Sequence, residues 1–250
     1  MTTSGAPPKL GTGSTLDFHG PMSPARASRL VAGLAAREPA TVVDYGCGWG
    51  ELLLRLLAAV PEAHGTGIDI HGPDIARARA AAADRGLTGR ATFIEGPARD
   101  HARPADVVLS LGAYHAFGTI PEALAELRTL VNPGGRLLFG AEIWDRTPTE
   151  AELAAMWPGT TADECLYLPD LVEVATAAGL RPLRIETSTR AEWEEFESGY
   201  AADTEEWLLA NPGHPDAPET REKLDAHLGI WLRGLHQVFS YAFLTLGVPG

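Results

Sequence analysis

The residues whose types and spacing best suit ligand chemistry lie in a glycine-rich segment, residues 42–50. Gly46, Gly48 and Gly50 occupy alternate positions there, between an apolar run and a helical one. Glycines at a strand–helix junction let the backbone approach a ligand closely and adopt turns that a Cβ would forbid. Because such a pattern is weak evidence by itself, a tight turn without a ligand is the alternative interpretation.

Carboxylates near this segment indicate which ligand it would bind. Asp44 ends the apolar run and Glu51 opens the helix. Two carboxylates would repel the pyrophosphate that dinucleotide-binding folds hold at this helix N-terminus, but they suit a ligand with ammonium and sulfonium charges, as S-adenosylmethionine (SAM) has. Asp69, after the second apolar run, can accept both hydroxyls of a ribose. Since NAD enzymes use the same device, Asp69 indicates a nucleoside without choosing between the two ligands.

Two histidines are candidates for proton transfer. His115 follows the predicted fourth strand at the carboxyl edge of the sheet, where open α/β folds bind ligands. An imidazole with a pKa of about 6.5 can remove a proton at neutral pH. His19 lies on the N-terminal segment that would cover the site. A histidine that only shapes the pocket is the alternative for His115, and a plain loop histidine is the alternative for His19. No residue spacing predicts a Ser-His-Asp triad or a metal site.

Short apolar runs alternate with helical stretches through the middle of the chain, which predicts a parallel sheet covered by helices on both faces. The predicted strands are residues 41–45, 64–70, 91–95, 106–111, 136–142, 181–187 and 239–246. The predicted helices between them are residues 51–60, 74–85, 122–131 and 168–178. An acidic stretch with Trp193, Phe196 and Tyr200 at helical spacing precedes the last strand and predicts a helical cap.

Four segments together resemble class I SAM-dependent methyltransferases. Residues 42–50 (Val-Val-Asp-Tyr-Gly-Cys-Gly-Trp-Gly) resemble the signature of that family, and residues 67–70, 93–98 and 106–112 are similar to its second-strand, adenine-side and fourth-strand motifs. The resemblance covers roughly residues 28–187. It implies an α/β, Rossmann-like, seven-stranded doubly wound sheet with an antiparallel last strand, here with added helical cap segments. Residues 18–21, residues 113–117 and the acidic cap are similar to small-molecule methyltransferases of high-GC bacteria.

With that fold, the chain divides into a core and added segments. We expect a flexible tail (1–15), an N-terminal lid and helix (16–40), a SAM-binding Rossmann-like core (41–190), a helical cap insertion (191–235) and a last strand that completes the sheet (236–250).

The resemblance also implies a role for each matching residue. The methionine part of SAM would lie near Asp44, Gly46, Gly48 and Gly50, with the backbone of Leu111 and Gly112 beside its amino-acid end. The nucleoside would contact Asp69 at the ribose, Ile70 at the adenine face, and Gly96, Pro97 and Ala98 at the adenine edge. Many relatives have an acidic residue where this chain has Pro97, which leaves the adenine amino group to the backbone of Ala98 or to a polar side chain such as Arg99.

Several further residues are candidates for the wall of a pocket that holds the methyl acceptor. They are Phe18, Tyr114, Trp144, Trp193, Glu197 and Tyr200. Because Trp193, Phe196 and Tyr200 share helical spacing, packing within the cap is the alternative role for most of them. The acidic run around Glu197 can likewise be a solvated helix face.

The predicted function is transfer of the SAM methyl group to an O, N or C nucleophile of a small molecule in specialised metabolism, with S-adenosylhomocysteine (SAH) as the product of the cofactor. Two alternatives stay open: an NAD-dependent oxidoreductase, and a SAM-binding protein that does not methylate. Neither the fold nor the motifs determine the acceptor.

Composition excludes some partners. The net charge of −13 argues against a nucleic acid or an anionic membrane, because phosphate binding needs clustered Lys and Arg. No apolar run reaches the roughly 18–20 residues that span a bilayer. Two cysteines, Cys47 and Cys165, without the spacing of a disulfide or zinc framework indicate a cytoplasmic protein. We expect a monomer or a homodimer.

Overall fold

A single mixed sheet forms the centre of the protein in the computed structural model, which describes residues 5–250. Its strands are β1 Thr41–Tyr45, β2 His64–Asp69, β3 Ala91–Glu95, β4 Ala105–Leu111, β5 Val131–Trp144, β6 Leu166–Tyr167, β7 Arg181–Thr187 and β8 Phe239–Gly247. They are arranged in the order β3-β2-β1-β4-β5-β8-β7, and the two-residue β6 pairs with the end of β5. β8 is antiparallel to both of its neighbours. The predicted fold class is therefore confirmed, with β6 as a small addition.

Helices cover both faces of this sheet. They are α1 Pro24–Ala35, α2 Glu51–Ala59, α3 Gly72–Asp84, α4 Ile120–Thr129, α5 Glu150–Ala155, α6 Leu168–Ala177, α7 Arg190–Ala210 and α8 Ala217–Gly229, followed by a π-helical turn at Ile230–Leu235. None of the helices within residues 5–250 combines the length and the apolar character that crossing a membrane requires.

Alternation along the central strands divides the core into two apolar layers. On β5, Leu138 packs in the layer under α1, α2 and α3, whereas Leu137 and Phe139 pack in the layer under α4 and α6. Successive side chains of a strand point to opposite faces, so a strand that is covered on both sides must be apolar at nearly every position. Burial of both layers fixes the carboxyl ends of the parallel strands at one edge of the sheet.

The cap is anchored to the core by a buried ion pair. Arg26 of α1 donates from Nε and Nη2 to the Glu192 carboxylate at 2.8 and 2.6 Å, and the two side chains are almost fully buried. Glu192 also caps the first turn of α7 together with Thr189. One carboxylate thus sets where α7 begins and ties it to α1.

The N-terminal segment, predicted as a flexible tail over residues 1–15, contacts the cap in its described part. Residues 1–4 lie outside the described part of the chain. Residues 5–15 run along α7: Gly11 N–H donates to the carbonyl of Tyr200 at 3.1 Å, and Trp207 Nε1 donates to the carbonyl of Gly5 at 3.2 Å. Arg77 also donates to the Gly13 carbonyl. Backbone groups that are paired in this way hold the segment against the cap, which the Gly, Ser and Thr content of the tail does not reveal.

Candidate active site

A cavity of about 880 Å³ opens at the carboxyl edge of the sheet. Its floor is formed by the ends of β1, β2, β4 and β5 and by β8, and it is covered by residues 18–22 and by the first turns of α7. The strand order reverses between β1 and β4, so the cavity lies at the switch point where open α/β sheets bind ligands.

The glycine loop after β1 forms one wall. Gly46 has φ +74°, and a Cβ there would lie 2.2 Å from the Cβ of Ala113, so no larger residue fits. Gly48 has φ +52°, but a Cβ there would meet nothing closer than His19, at 3.6 Å. The loop is thus packed on the sheet side at Gly46 and open towards the cavity at Gly48.

Gly50 does not line the cavity, contrary to its predicted role in cofactor binding. It has φ +72° and precedes the first residue of α2, where a Cβ would lie 2.4 Å from the Phe93 ring. The backbone turn and the contact with Phe93 are sufficient reasons for glycine at this position.

Asp69 is held in a fixed orientation at the end of β2. Its Oδ2 accepts the backbone N–H of Gly48 at 2.8 Å, and its Oδ1 accepts the N–H of His71 at 2.9 Å. Each oxygen keeps further acceptor capacity on the cavity side. Next to it, Ile70 is 77% exposed, an apolar surface at the cavity wall that a flat ring could cover.

Asp44 is a buried carboxyl group on the cavity wall with no ion pair to any residue within 5–250. Burial, assisted by the negative charge of Asp69, raises the pKa of Asp44 to about 7. A carboxyl group in this state gains stability from a positively charged ligand, because such a ligand favours the ionised form.

Glu51 does not act as a second free carboxylate at this position, as the sequence interpretation assumed. It accepts from Arg55 Nε and from Arg85 Nη2, each at 2.6 Å. Its charge is balanced by two guanidinium groups, whereas Asp44 has no ion-pair partner within residues 5–250.

The residues after β3 line the opposite end of the cavity. Gly96, Pro97 and Ala98 are all on its wall. The Arg99 guanidinium donates to the carbonyl of Phe117 at 2.7 Å and pairs with Glu126 at 2.9 Å, so it is already engaged.

Asp100, which the sequence interpretation did not select, also lines this end of the cavity. It lies in the short 3₁₀ turn Ala98–His101. Many relatives have a carboxylate at the position of Pro97, and in this chain Asp100 provides one three positions later.

Both candidate histidines reach the cavity wall. His115 lies in the 3₁₀ turn Tyr114–Phe117 after β4, and its ring is exposed. The His19 ring stacks on Trp49, with centroids 4.9 Å apart and planes 13° from parallel, directly over Gly48. Partial burial lowers the pKa of His19, a shift that Asp74 and Asp69 oppose, and the ring covers the glycine loop.

The six predicted acceptor-pocket residues divide into two groups. Phe18 and Trp193 line the cavity. Tyr114, Trp144, Glu197 and Tyr200 do not, which corrects the prediction for all four.

Each of those four side chains has another partner. The Tyr114 ring packs toward Phe139 in the core. Trp144 is buried, and its Nε1 donates to the carbonyl of Ala162. Glu197 is 2.8 Å from His227 Nε2, and Tyr200 stacks on the same imidazole, with ring centroids 5.0 Å apart.

Residues that the sequence interpretation missed complete the cavity. They are Met22 of the lid, Trp49 of the glycine loop, Glu142 of β5, Phe196 of α7, and Tyr241 and Phe243 of β8. A signal was present for Glu142, because it is the one charged residue in the apolar part of β5, residues 137–144. Leu111 and Gly112, which were predicted, lie between this group and the glycine loop.

The fold is the Rossmann-like methyltransferase fold. Residues 42–135 match the family model described as "Methyltransferase domain", and these residues carry the glycine loop, Asp69 and β4. This part of the chain is therefore similar to a methyltransferase domain.

Matches to individual proteins extend over nearly the whole chain. A SAM-dependent methyltransferase from Geobacter sulfurreducens, crystallised with SAH, has a TM-score of 0.84 and 27% identity, covering 96% of this chain and 97% of its own. One from Thiobacillus denitrificans, also with SAH, has a TM-score of 0.83 and 26% identity over 94% and 95%. The uncharacterized protein YjhP of Escherichia coli is 27% identical over 92% of this chain and 93% of its own length. These structures are consistent with SAM as the cofactor.

Proposed function

We propose that this protein is a SAM-dependent methyltransferase that acts on a small molecule. The observation that carries the proposal is the unpaired, buried Asp44 carboxyl group beside an open glycine loop, in a cavity that also contains Asp69, Asp100 and Glu142. Arg99, the one cationic side chain on the cavity wall among the described residues apart from the histidines, is already paired. Such a cavity favours a ligand with sulfonium and ammonium charges over one with phosphates.

The residues present fit SAM at both ends of the cavity. Asp69, oriented by two backbone amides, would accept the ribose hydroxyls, and the exposed Ile70 would pack against adenine. Asp100 would receive the adenine amino group in place of the acidic residue that Pro97 replaces. Gly96 and Ala98 would border the adenine edge.

The methionine end would lie against the loop after β1. Asp44 would face its positive charges, and the backbone at Gly46, Gly48, Leu111 and Gly112 would approach it closely. When bound, SAM supplies a methyl carbon on a sulfonium leaving group. The main task of the protein is then to position an acceptor atom in line with that carbon.

A nucleophile that carries a proton needs a group to receive it. His115 is exposed on the cavity wall and is the candidate for that role. His19 is held in its stack with Trp49 and would mainly close the cofactor end of the site.

The size of the cavity supports a small-molecule acceptor. Pockets for small ligands run from roughly 300 to 1,000 Å³, and about 880 Å³ leaves room beside a cofactor for a compact second ligand. A role in specialised metabolism is part of the proposal. Cys47 and Cys165 are both free thiols, which fits a reducing, cytoplasmic setting. A monomer or a homodimer completes the proposal.

Calorimetry with SAM, SAH and NAD tests this function. We expect SAM and SAH to bind with one site each and NAD to give no signal. Tight NAD binding would favour an oxidoreductase instead. If SAM binds but no methyl group leaves it with any acceptor, the protein uses the cofactor without methylation.

A further inference from the structure

Glu142 lies on the cavity wall but belongs to none of the segments that resemble cofactor-binding motifs. It is on β5, directly opposite Tyr241 of the antiparallel β8, and both side chains point to the same face of the sheet. Phe243, two residues further along β8, lies on that face as well. This part of the wall belongs to the antiparallel half of the sheet, away from the ends of β1 and β2 that hold the cofactor motifs.

The Glu142 side chain is partly buried on the cavity wall. It forms no hydrogen bond or ion pair with another residue within 5–250, and burial raises its pKa, an effect that His115 opposes. Its other titratable neighbours are Tyr114, Tyr241 and Cys165. Burial raises the pKa of each of these groups, and the charge of Glu142 raises it further. Partial burial of a carboxylate without a partner costs free energy, so its place on a cavity wall requires an explanation.

Four aromatic rings line the same cavity as this carboxylate. Trp193 and Phe196 of α7, Phe18 of the lid, and Phe243 of β8 all line the cavity. The Trp193 and Phe196 rings lie edge to face, with centroids 5.9 Å apart. Aromatic faces attract positive charge, and a carboxylate does so more strongly. The combination suits a group that donates N–H bonds and becomes positive during reaction.

We infer that the methyl acceptor is an amine on an apolar or aromatic body, with its nitrogen held by an N–H bond to the Glu142 carboxylate. This inference rests on the proposed methyltransferase function and narrows its O, N or C nucleophile to nitrogen. A phenol, alcohol or carboxylic acid becomes negative when it loses its proton, and Glu142 would repel that charge.

The transfer step balances with this arrangement. An alkylammonium acceptor first gives one proton to the Glu142 carboxylate, which passes it to water. The lone pair of the neutral nitrogen then forms the new N–C bond, the C–S bond of SAM breaks, and its electron pair stays on sulfur to give SAH. The positive charge moves from sulfur to the methylated nitrogen, next to Glu142. The carboxylate then accepts one proton from that nitrogen and passes it to water. Stabilisation is greatest as the charge develops, which is the requirement for lowering a barrier.

Matched ligands test the inference on the SAH-loaded protein. The probes are 2-phenylethylamine, tryptamine and N-methylbenzylamine, each compared by calorimetry with the alcohol and the carboxylic acid of the same skeleton. We expect each amine to bind at least about tenfold more tightly than its alcohol, as one charge-assisted hydrogen bond provides. In Glu142→Gln this preference should disappear. Glu164→Gln, which removes an exposed carboxylate whose charge also acts on Tyr114 and Cys165, should keep it.

Three results would overturn the inference: no amine binds, the alcohols or acids bind as well as the amines, or Glu142→Gln keeps the preference while its melting temperature shows it folded. A failure of SAH itself to bind the wild-type protein would count against the proposed function instead. The two ideas therefore fail on separate measurements.

Discussion

The Asp69 carboxylate and the backbone of Gly48 are joined by a hydrogen bond of 2.8 Å, which links the end of β2 to the loop after β1. A second amide, that of His71, fixes the other carboxylate oxygen. The group proposed to hold the ribose is therefore oriented before any ligand arrives, and ligand binding need not pay for ordering it.

Removing this carboxylate should weaken cofactor binding strongly. We expect Asp69→Ala to lower SAH affinity roughly 100-fold, since two charge-assisted hydrogen bonds to the ribose are lost. Asp84→Ala, at an exposed position near the end of α3, is the control and should bind SAH normally. Calorimetry measures both, and normal affinity in a folded Asp69→Ala protein would disprove our placement of the nucleoside.

A pair of glycine variants separates backbone strain from ligand contact. Gly48 and Gly86 both have positive φ, +52° and +67°, and a Cβ at either position meets no atom within 3.5 Å. Gly48→Ala and Gly86→Ala should each cost about 1–2 kcal/mol of stability in denaturant unfolding. Only Gly48→Ala should also lose SAH binding, because its methyl group enters the cavity. Equal SAH affinity in the two variants would show that the loop does not touch the cofactor.

The burial of Asp44 predicts a pH dependence of SAM binding. With a pKa of about 7, its carboxyl group is protonated below pH 7 in the free protein, and a cation favours the ionised form. SAM affinity should therefore rise with pH up to about pH 7–8, by at most about tenfold per unit, with release of a proton below pH 7. Calorimetry in buffers of different ionisation enthalpy counts that proton. Asp44→Asn should bind SAM more weakly, and its affinity should lose this dependence on pH.

The raised pKa of Asp44 makes SAM affinity rise with pH, but it makes the stability of the free protein fall. The folded state binds a proton at Asp44 that the unfolded chain has already lost between about pH 4 and 7, so this group's contribution to stability falls as pH rises through that window. Saturating SAM should offset that fall. Thermal melts with and without SAM at several pH values would show the difference.

The buried pair Arg26–Glu192 should contribute strongly to stability. Arg26→Ala leaves the Glu192 carboxylate buried without its main partner, and we expect a loss of about 3–5 kcal/mol in the free energy of unfolding. Arg29→Ala removes a guanidinium that is about half exposed and 3.4 Å from Glu186, and it should cost less than about 1 kcal/mol. Similar losses in both variants would mean that the pair does not anchor the cap.

Low pH should weaken the contribution of the Arg26–Glu192 pair to stability. Hydrogen bonds from Arg26, Ser23 and the N-cap Thr189 outweigh burial and hold the pKa of Glu192 at about 2. Because this pKa is below the value in the unfolded chain, the stabilisation is present at neutral pH and is lost as pH falls from about 4.5 towards 2. In Arg26→Ala the dependence of stability on pH over that window should be shallower.

His115 provides a check on the nature of the acceptor. If an amine is the nucleophile, Glu142 receives its proton before methyl transfer, and His115→Asn should keep most of kcat. A fall of about 10²–10⁴-fold would instead identify His115 as a base for an O–H acceptor, against the amine inference. His115→Ala, compared with His115→Asn, reports how much the ring contributes by its shape.

The sequence predicted most of the fold because its strands are apolar runs separated by Gly, Pro and polar residues. Six of the seven predicted strands lie within two residues of those in the structure, and the fifth is longer, Val131–Trp144 rather than 136–142. The two-residue β6 and the short α5 were missed, because so few residues cannot display a period. Their existence depends on pairing with β5 and on the Thr149–Glu152 cap.

The sequence predicted the site residues that belong to a recognisable motif, but it predicted the residues of the cap less well. Helical spacing placed Trp193, Glu197 and Tyr200 together on one helix, but it does not say which turn of α7 faces the cavity. In the structure Trp193 faces it, whereas Glu197 and Tyr200 pack against His227 of α8. That choice is made by the packing of α7 between the lid and α8, which involves residues far apart in the chain.

The position of β8 also determines the order in which parts of the protein can fold. β8 lies inside the sheet, yet it pairs with β5 residues about 100 positions earlier in the chain, Trp144 with Phe239 and Arg136 with Gly247. Closing so long a loop is entropically costly and slows folding, and until it happens β5 and β7 are unpaired edges open to aggregation. During synthesis the cofactor half, β1 to β4, can form first. The wall made by Glu142 and Tyr241 arises only when β8 is inserted, so acceptor recognition is the last property that the nascent chain acquires.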